Sequence, residues 1–456
     1  MICSRYWLAL LFVVPALTAC GSSDTEGPKA SCSLSGASGC DAGKVCEEVK
    51  GGAPQCFAPV TLKGSVANAL DASSVVGAHV VARDVNGVAV SSVAVSDDTG
   101  NYSLRVPVAR NEDGTFADPD NSVTLRADAL GYLTFPTAPR TAVPVDLNAA
   151  SAAASPIQNA TTALQLIPLT ATNLGSISGK VSSDKPAGTL VVAGGLTGLA
   201  DRDGAYTVFN VPAGDAQVSG YAPGVNLETK SATVTAGQIT SDVNLGLLST
   251  ATAAVSGNVQ IVNAPGGATT SVVLVLEDTF LPDAARGEAP PGLRASPVSG
   301  AFSIPNAPDG RYVVLAAFEN DALVRDPDTS IGGTAIVHIV VSGGNVAVSQ
   351  GFKVTGALKV NAPGANGIET VVGTPTFSWA DDSSEDSYGL VVFDALGNRT
   401  WEKTGIVGPK GKAPVTVAYA GPALKHGMVY QFRATSIKDG VPISQTEDLK
   451  GVFEYQ

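Results

Sequence analysis

The chain has 456 residues with 28 basic against 41 acidic side chains, a formal net charge of −13 that opposes a phosphate backbone and excludes nucleic acid as a partner. Charged residues make up only 15% and apolar ones 44%, which excludes general disorder, and 50 Gly and 28 Pro beside 2 Met exclude a helical bundle. An all-β chain of several small domains, each with a thin core, fits better than one large core.

Met1 to Ala19 carries a single charge, Arg5, and an apolar run from Trp7 to Leu17 interrupted by Pro15. The run is shorter than the roughly 20 residues of a spanning helix. Leu17-Thr18-Ala19-Cys20 resembles the lipobox of bacterial lipoproteins. That resemblance implies a signal peptide over residues 1–19 and a palmitate-bearing, diacyl or triacyl Cys20. Several acyl chains, at about 0.8 kcal/mol per buried CH₂, hold a protein on a bilayer effectively for good. Gly21 stands where an inner-membrane retention signal would have aspartate, so the resemblance implies the outer membrane, facing the periplasm or the cell surface.

Residues 20–31 form the lipidated end and a flexible tether of roughly 18 Å. Cys32, Cys40, Cys46 and Cys56 follow within the segment 32–59. Four cysteines in an exported segment, with no Cys-x-x-Cys pair and no local histidine, predict two disulfides and not a zinc site. Three pairings are open. A similarity to EGF-like knots implies the interlaced one, Cys32 with Cys46 and Cys40 with Cys56. A segment this short cannot bury a core, so the bridges must hold it together.

One pattern then recurs three times. Gly64-Ser-Val66, Gly179-Lys-Val181 and Gly257-Asn-Val259 each open a strand. Each is followed by a polar turn and an aromatic: Asp98-Thr-Gly-Asn-Tyr102, Asp203-Gly-Ala-Tyr206 and Ser299-Gly-Ala-Phe302. Period-2 alternation places these aromatics on inward faces. A second turn, Val211-Pro-Ala-Gly214 or Ala307-Pro-Asp-Gly310, precedes a return strand. The unequal spacing excludes a fixed-period solenoid and is explained by inserted loops. This order of elements resembles the carboxypeptidase regulatory-like domain, a transthyretin-like carbohydrate-binding-like fold. The resemblance implies β-sandwich domains over 60–170, 171–250 and 251–360, each of two small sheets with Tyr102, Tyr206 or Phe302 packed between them.

The last domain, 361–456, reads differently. Pro375-Thr-Phe-Ser-Trp379 and Tyr388 to Phe393 alternate as strands, and Leu424-Lys-His-Gly427-Met-Val-Tyr430 places a tyrosine just after a turn. This resembles a fibronectin type III domain, which implies a tyrosine corner in which Tyr430 bonds back to the main chain.

Residues able to perform chemistry are few. His79 lies on the strand Gly77 to Asp84, on the outward, solvated register with Arg83, while Ala78, Val80 and Ala82 point inward. His338 sits in an apolar strand, at an edge or hydrogen-bonded, and His426 on an exposed turn. None begins the His-x-x-Glu pair of the zinc peptidases that give the regulatory domain its name, and neither a Gly-x-Ser-x-Gly elbow nor a phosphate-binding glycine loop occurs. The pairs Asp118/Asp120 and Asp326/Asp328 are calcium candidates, each offering two oxygens to an ion that takes six to eight; Asp201 and Asp203 are explained by their turn. Sugar binding wants aromatic platforms, for which Phe116, Tyr132, Phe135, Phe280 and Trp401 are the candidates. The expectation is a non-enzymatic, membrane-anchored envelope lipoprotein, a stalk of sandwiches that scaffolds its surroundings. The alternative is an adhesin for a glycan or a protein, or an accessory to a secreted hydrolase or envelope machine.

Overall fold

The computed structural model describes residues 32–34, 39–84, 86–118, 121–136, 142–150, 156–262, 270–281, 287–320, 324–327, 336–349, 351–355, 357–382, 384–395, 398–409, 413–447 and 450–456. Among them the structure is built of strands, with only three short 3-10 turns. A two-stranded hairpin, Val45–Glu47 with Gln55–Phe57, carries the bridges Cys32–Cys46 and Cys40–Cys56, the interlaced pairing.

In the first sandwich Val60–Asn68 lies between Asn101–Val106 and Ala163–Leu166, facing a second sheet around His79–Arg83 and Ser122–Asp128. The second sandwich is rolled into one nine-stranded sheet, because Val225–Leu227 joins the two layers through Leu245–Thr250. The third returns to two sheets, one on Ala253–Val262 and one on Thr270–Leu276 with Gly310–Asn320. The last pairs a three-stranded sheet on Thr376–Trp379 with a six-stranded one on Ser387–Asp394 and Val429–Lys438.

The repeated glycine and the repeated aromatic form a single device. Gly64 lies directly across from Tyr102, Gly179 from Tyr206 and Gly257 from Phe302. Each ring lies over the hydrogen that a side chain would replace. A Cβ on Gly64 would sit 1.9 Å from the Thr162 carbonyl oxygen, and one on Gly179 2.0 Å from that of Val243. The Tyr102 hydroxyl donates to that Thr162 oxygen at 2.7 Å, and the Tyr206 hydroxyl donates to Val243 O. Phe302 has no hydroxyl, and a Cβ on Gly257 would meet side chains and not a carbonyl oxygen: the Phe302 ring at 2.7 Å and Val348 Cβ at 3.0 Å. All three aromatics are buried, as expected.

The turns before the two tyrosines are closed by side chains. The carboxylates that close them stand five residues before the tyrosine: Asp97, which accepts from the amides of Thr99 and Asn101 at 2.9 Å, and Asp201, which accepts from those of Asp203 and Ala205 at 2.9 Å. Asp98 and Asp203 do not serve that role. Gly100 (φ 79°) and Gly204 (φ 82°) supply the left-handed residue. In the third sandwich Pro297 takes the carboxylate's place.

The sandwiches succeed one another along the chain, but the first three do not stand apart as beads of a stalk. The core of the third includes Val81 and Ala89 of the first and Leu190, Val192 and Leu199 of the second. The last sandwich keeps its own aromatic core around Phe377, Trp379, Tyr388, Phe432 and Phe453. Its Tyr430 hydroxyl accepts from the Lys425 amide at 2.8 Å, which is the tyrosine corner.

Candidate functional site

The densest convergence of polar side chains lies where the first three sandwiches meet. On the strand Ser122–Asp128, Val123, Leu125 and Ala127 point into the first core, so Thr124, Arg126 and Asp128 point away from it. That outward face is covered, and Arg126 is 1% exposed. Its Nε and Nη2 donate to Asp128 at 2.8 and 3.1 Å, and Nη2 also donates to the carbonyl and hydroxyl oxygens of Thr197, in the second sandwich, at 3.0 Å. Its Nη1 reaches Glu288, in the third, at 3.4 Å. One guanidinium therefore ties three domains. Desolvation opposes its charge, and the carboxylates of Asp128 and Glu288 outweigh that and hold it protonated.

Other polar groups extend the junction. Asn210 adopts a left-handed conformation at φ 66°, and its side chain donates to the carbonyls of Ala129 and Tyr132 and accepts from the Gly131 amide at 2.6 Å. In the third sandwich the residue at the same distance from the aromatic, Asn306, is also left-handed at φ 59°, and its carbonyl accepts from the Gly224 amide of the second. An asparagine four residues beyond the aromatic thus receives a turn of the preceding sandwich twice. Asp201 also accepts from the Val93 amide, and Asp203 from the Ser92 hydroxyl at 2.7 Å.

The disulfide segment is clasped onto two sandwiches. Glu47 is 1% exposed and accepts from Arg110 Nε at 2.6 Å, while Arg110 also lies over the rings of Phe57 and Phe116. Burial pushes the Glu47 carboxyl up from its ordinary value, against the pull of Arg110. Arg202, from the second sandwich, donates to the carbonyls of Cys46 and Leu34 at 2.9 and 3.2 Å.

The predicted site residues are not brought together. Cys20 lies outside the described residues, as do Asp120 and Asp328, while Asp326 falls in the strand Val324–Pro327 with its side chain undescribed. Asp118 borders an open hollow of about 510 Å³ beside Arg110 and Asn148. Among the described residues the one group of three convergent metal-donor side chains is Cys32, Cys40 and Cys56, whose sulfurs are held in disulfides. The aromatic platforms are corrected: Phe135 is buried, and Phe116, Tyr132, Phe280 and Trp401 are half-buried against core clusters.

His79 is corrected too. Ala78, Val80 and Ala82 do point inward, but the face carrying His79 is an interface, with its ring edge-on to Phe209 of the second sandwich at 4.9 Å. Burial lowers its pKa, opposed by Asp128. His338 lies on an edge strand with Nδ1 3.1 Å from Glu277, and His426 is exposed, both as expected. Arg126, Asp128 and Asn210 were missed because outward-pointing polar residues read as solvated. The one signal present is the Arg-x-Asp pair on a strand that is apolar on its other face.

No protein-family model and no curated protein matches the chain. Among solved structures, the Bacillus anthracis TIE protein is 11% identical, over 87% of this chain and 67% of its own, at a TM-score of 0.16. A DUF3823 family protein from Bacteroides ovatus is 12% identical, over 44% of this chain and 98% of its own, at 0.21. BcpA, the major pilin subunit of Bacillus cereus, is 9% identical, over 65% and 98%, at 0.15. Likenesses this loose carry no argument about function.

Proposed function

We propose that this protein is a non-enzymatic scaffold of the cell envelope, held to a membrane through an acylated Cys20, with its first three sandwiches acting as one rigid body. The observation that carries the reading is the Arg126 junction. Its buried polar groups fasten domains to one another, which is what a spacing element requires and a set of freely hinged modules does not. The clasp of the disulfide segment on Arg110 and Arg202 supports it further, since it fastens that segment to two of the sandwiches.

The reading is tested on protein recovered from its own membrane. Mass spectrometry should find an acyl-modified Cys20 as the first residue, and limited proteolysis should leave the first three sandwiches associated on a native gel. An unmodified amino end, or early release of the second sandwich alone, overturns the scaffold as stated. Partners recovered with the membrane form would show what it supports, an envelope protein or a glycan.

A further inference from the structure

The outer sheet face of the second sandwich is only half covered. Leu190, Val192 and Leu199 are buried in the junction, and Val192 lies beside Ser219 in the ladder. Beyond them the same face turns polar. Asp215, Gln217, Ser219 and Tyr221 alternate outward along Gly214–Ala222, while Val218 points into the core at 0% exposure. Across the ladder Thr233 faces Asp215 and Ser231 faces Gln217. The Thr233 hydroxyl donates to Asp215 at 2.7 Å, Gln217 donates to the Ser231 hydroxyl at 2.7 Å, and the hydroxyls of Ser219 and Thr229 lie 3.3 Å apart.

This ladder floors a cleft of about 410 Å³, walled by the Gly194-Gly195 turn on one side and by Asp278 of the third sandwich on the other. Tyr221 stands at the inner end, with its ring edge-on to Tyr312 at 6.4 Å. There a smaller hollow of about 120 Å³ continues the cleft toward Arg311.

Every group on this floor keeps hydrogen-bonding capacity after its ladder bond. The hydroxyls can both donate and accept, Gln217 keeps its carbonyl oxygen and a second N–H, and Asp215 keeps an oxygen. Successive outward positions stand about 6.6 to 6.8 Å apart along the strand and about 5 Å apart across it, close to the dimensions of one whole pyranose residue. Tyr221 lines the inner end of the cleft while its ring packs against the core of the third sandwich. Asp215 and Asp278 repel sulfated or carboxylated polymers.

We propose that this cleft binds a neutral glycan chain laid along Gly214–Ala222, with sugar hydroxyls replacing water on Asp215, Gln217 and Ser219, and Tyr221 contacting the terminal ring. The mature chain in mild detergent is run through native gels containing soluble starch, cereal β-glucan or xyloglucan, with dextran sulfate as the anionic arm. At least one neutral polymer should retard it, and Asp215→Ala and Gln217→Ala, both at exposed positions, should each weaken that retardation about tenfold without changing the melting temperature. Lys230→Ala, on the opposite face, should leave it intact. Absence of retardation by all three neutral polymers, retardation unchanged in both cleft variants, or stronger retardation by dextran sulfate would overturn the proposal.

Discussion

The first three sandwiches and the last solve the same problem by different means. The last folds around a closed set of aromatic rings, Phe377 touching Trp401, Tyr419, Phe432 and Phe453, and it shares a small apolar cluster with Val143 of the first. The first three have thinner cores, mostly of Val, Ala and Leu, in each of which one buried aromatic lies opposite a glycine, and they bury their outer faces against one another. The difference shows that a thin sandwich can gain the burial it lacks by docking. Docking then makes buried polar groups obligatory, because the outer faces of strands carry them.

Replacing Arg126 with Ala is the strongest way to break this contrast. It leaves Asp128 buried without its cation, and the loss should be about 3 kcal/mol or more, confined to the first three sandwiches. The chain's 3 tryptophans are Trp7, in the expected leader, and Trp379 and Trp401, so tryptophan fluorescence reports the last sandwich alone. Calorimetry should show one transition lowered while the fluorescence midpoint holds. A parallel fall in both would show that the last sandwich depends on the junction.

Gly179→Ala comes next. The added methyl meets a backbone oxygen that cannot turn away, and a cost near the upper end of about 1–3 kcal/mol follows, whereas Gly257→Ala meets the side chains of Phe302 and Val348, which can shift, and should cost less. Equal melting temperatures for the two variants would deny that the glycine and aromatic form one device. Tyr206→Phe removes the donor to Val243 O and makes the second sandwich resemble the third at this point. Its expected cost is about 1 kcal/mol, measured by urea denaturation followed by circular dichroism.

The smallest effect is pH-dependent. His79 titrates below its ordinary 6.5 in the folded protein because burial disfavours its charged form, so the unfolded state binds the proton first. Stability from this residue is therefore complete above that ordinary value and declines as the pH falls through it toward the lower folded value. Thermal melts at about pH 7.5 and about pH 5.5 should differ less for His79→Gln than for the parent chain. An identical difference in both chains would remove His79 from the interface energetics.

Much of this was legible in the residues. Alternation around Tyr102, Tyr206 and Phe302 gave the inward faces, the even cysteine count gave two bridges, and the resemblance to a fibronectin type III domain implied the corner bond of Tyr430. Which carboxylate closes each turn was not legible, since Asp97 and Asp98, or Asp201 and Asp203, are equal candidates until the backbone shows which can reach the amides. His79 and Arg126 were beyond reach for a deeper reason. Period 2 tells which way a side chain points and says nothing about what stands there.

The sequence by itself determined the all-β class, the succession of sandwiches and the stapled amino-terminal segment, because alternation, turn chemistry and cysteine number act over a few residues. Only the tertiary structure decided that Arg126, Asn210 and Arg202 are joints and not surface, and that half of one sheet face stays open as a cleft. Burial of an outward face is set by a partner a hundred residues or more away, as the Arg126 to Glu288 contact illustrates. No local pattern encodes that distance.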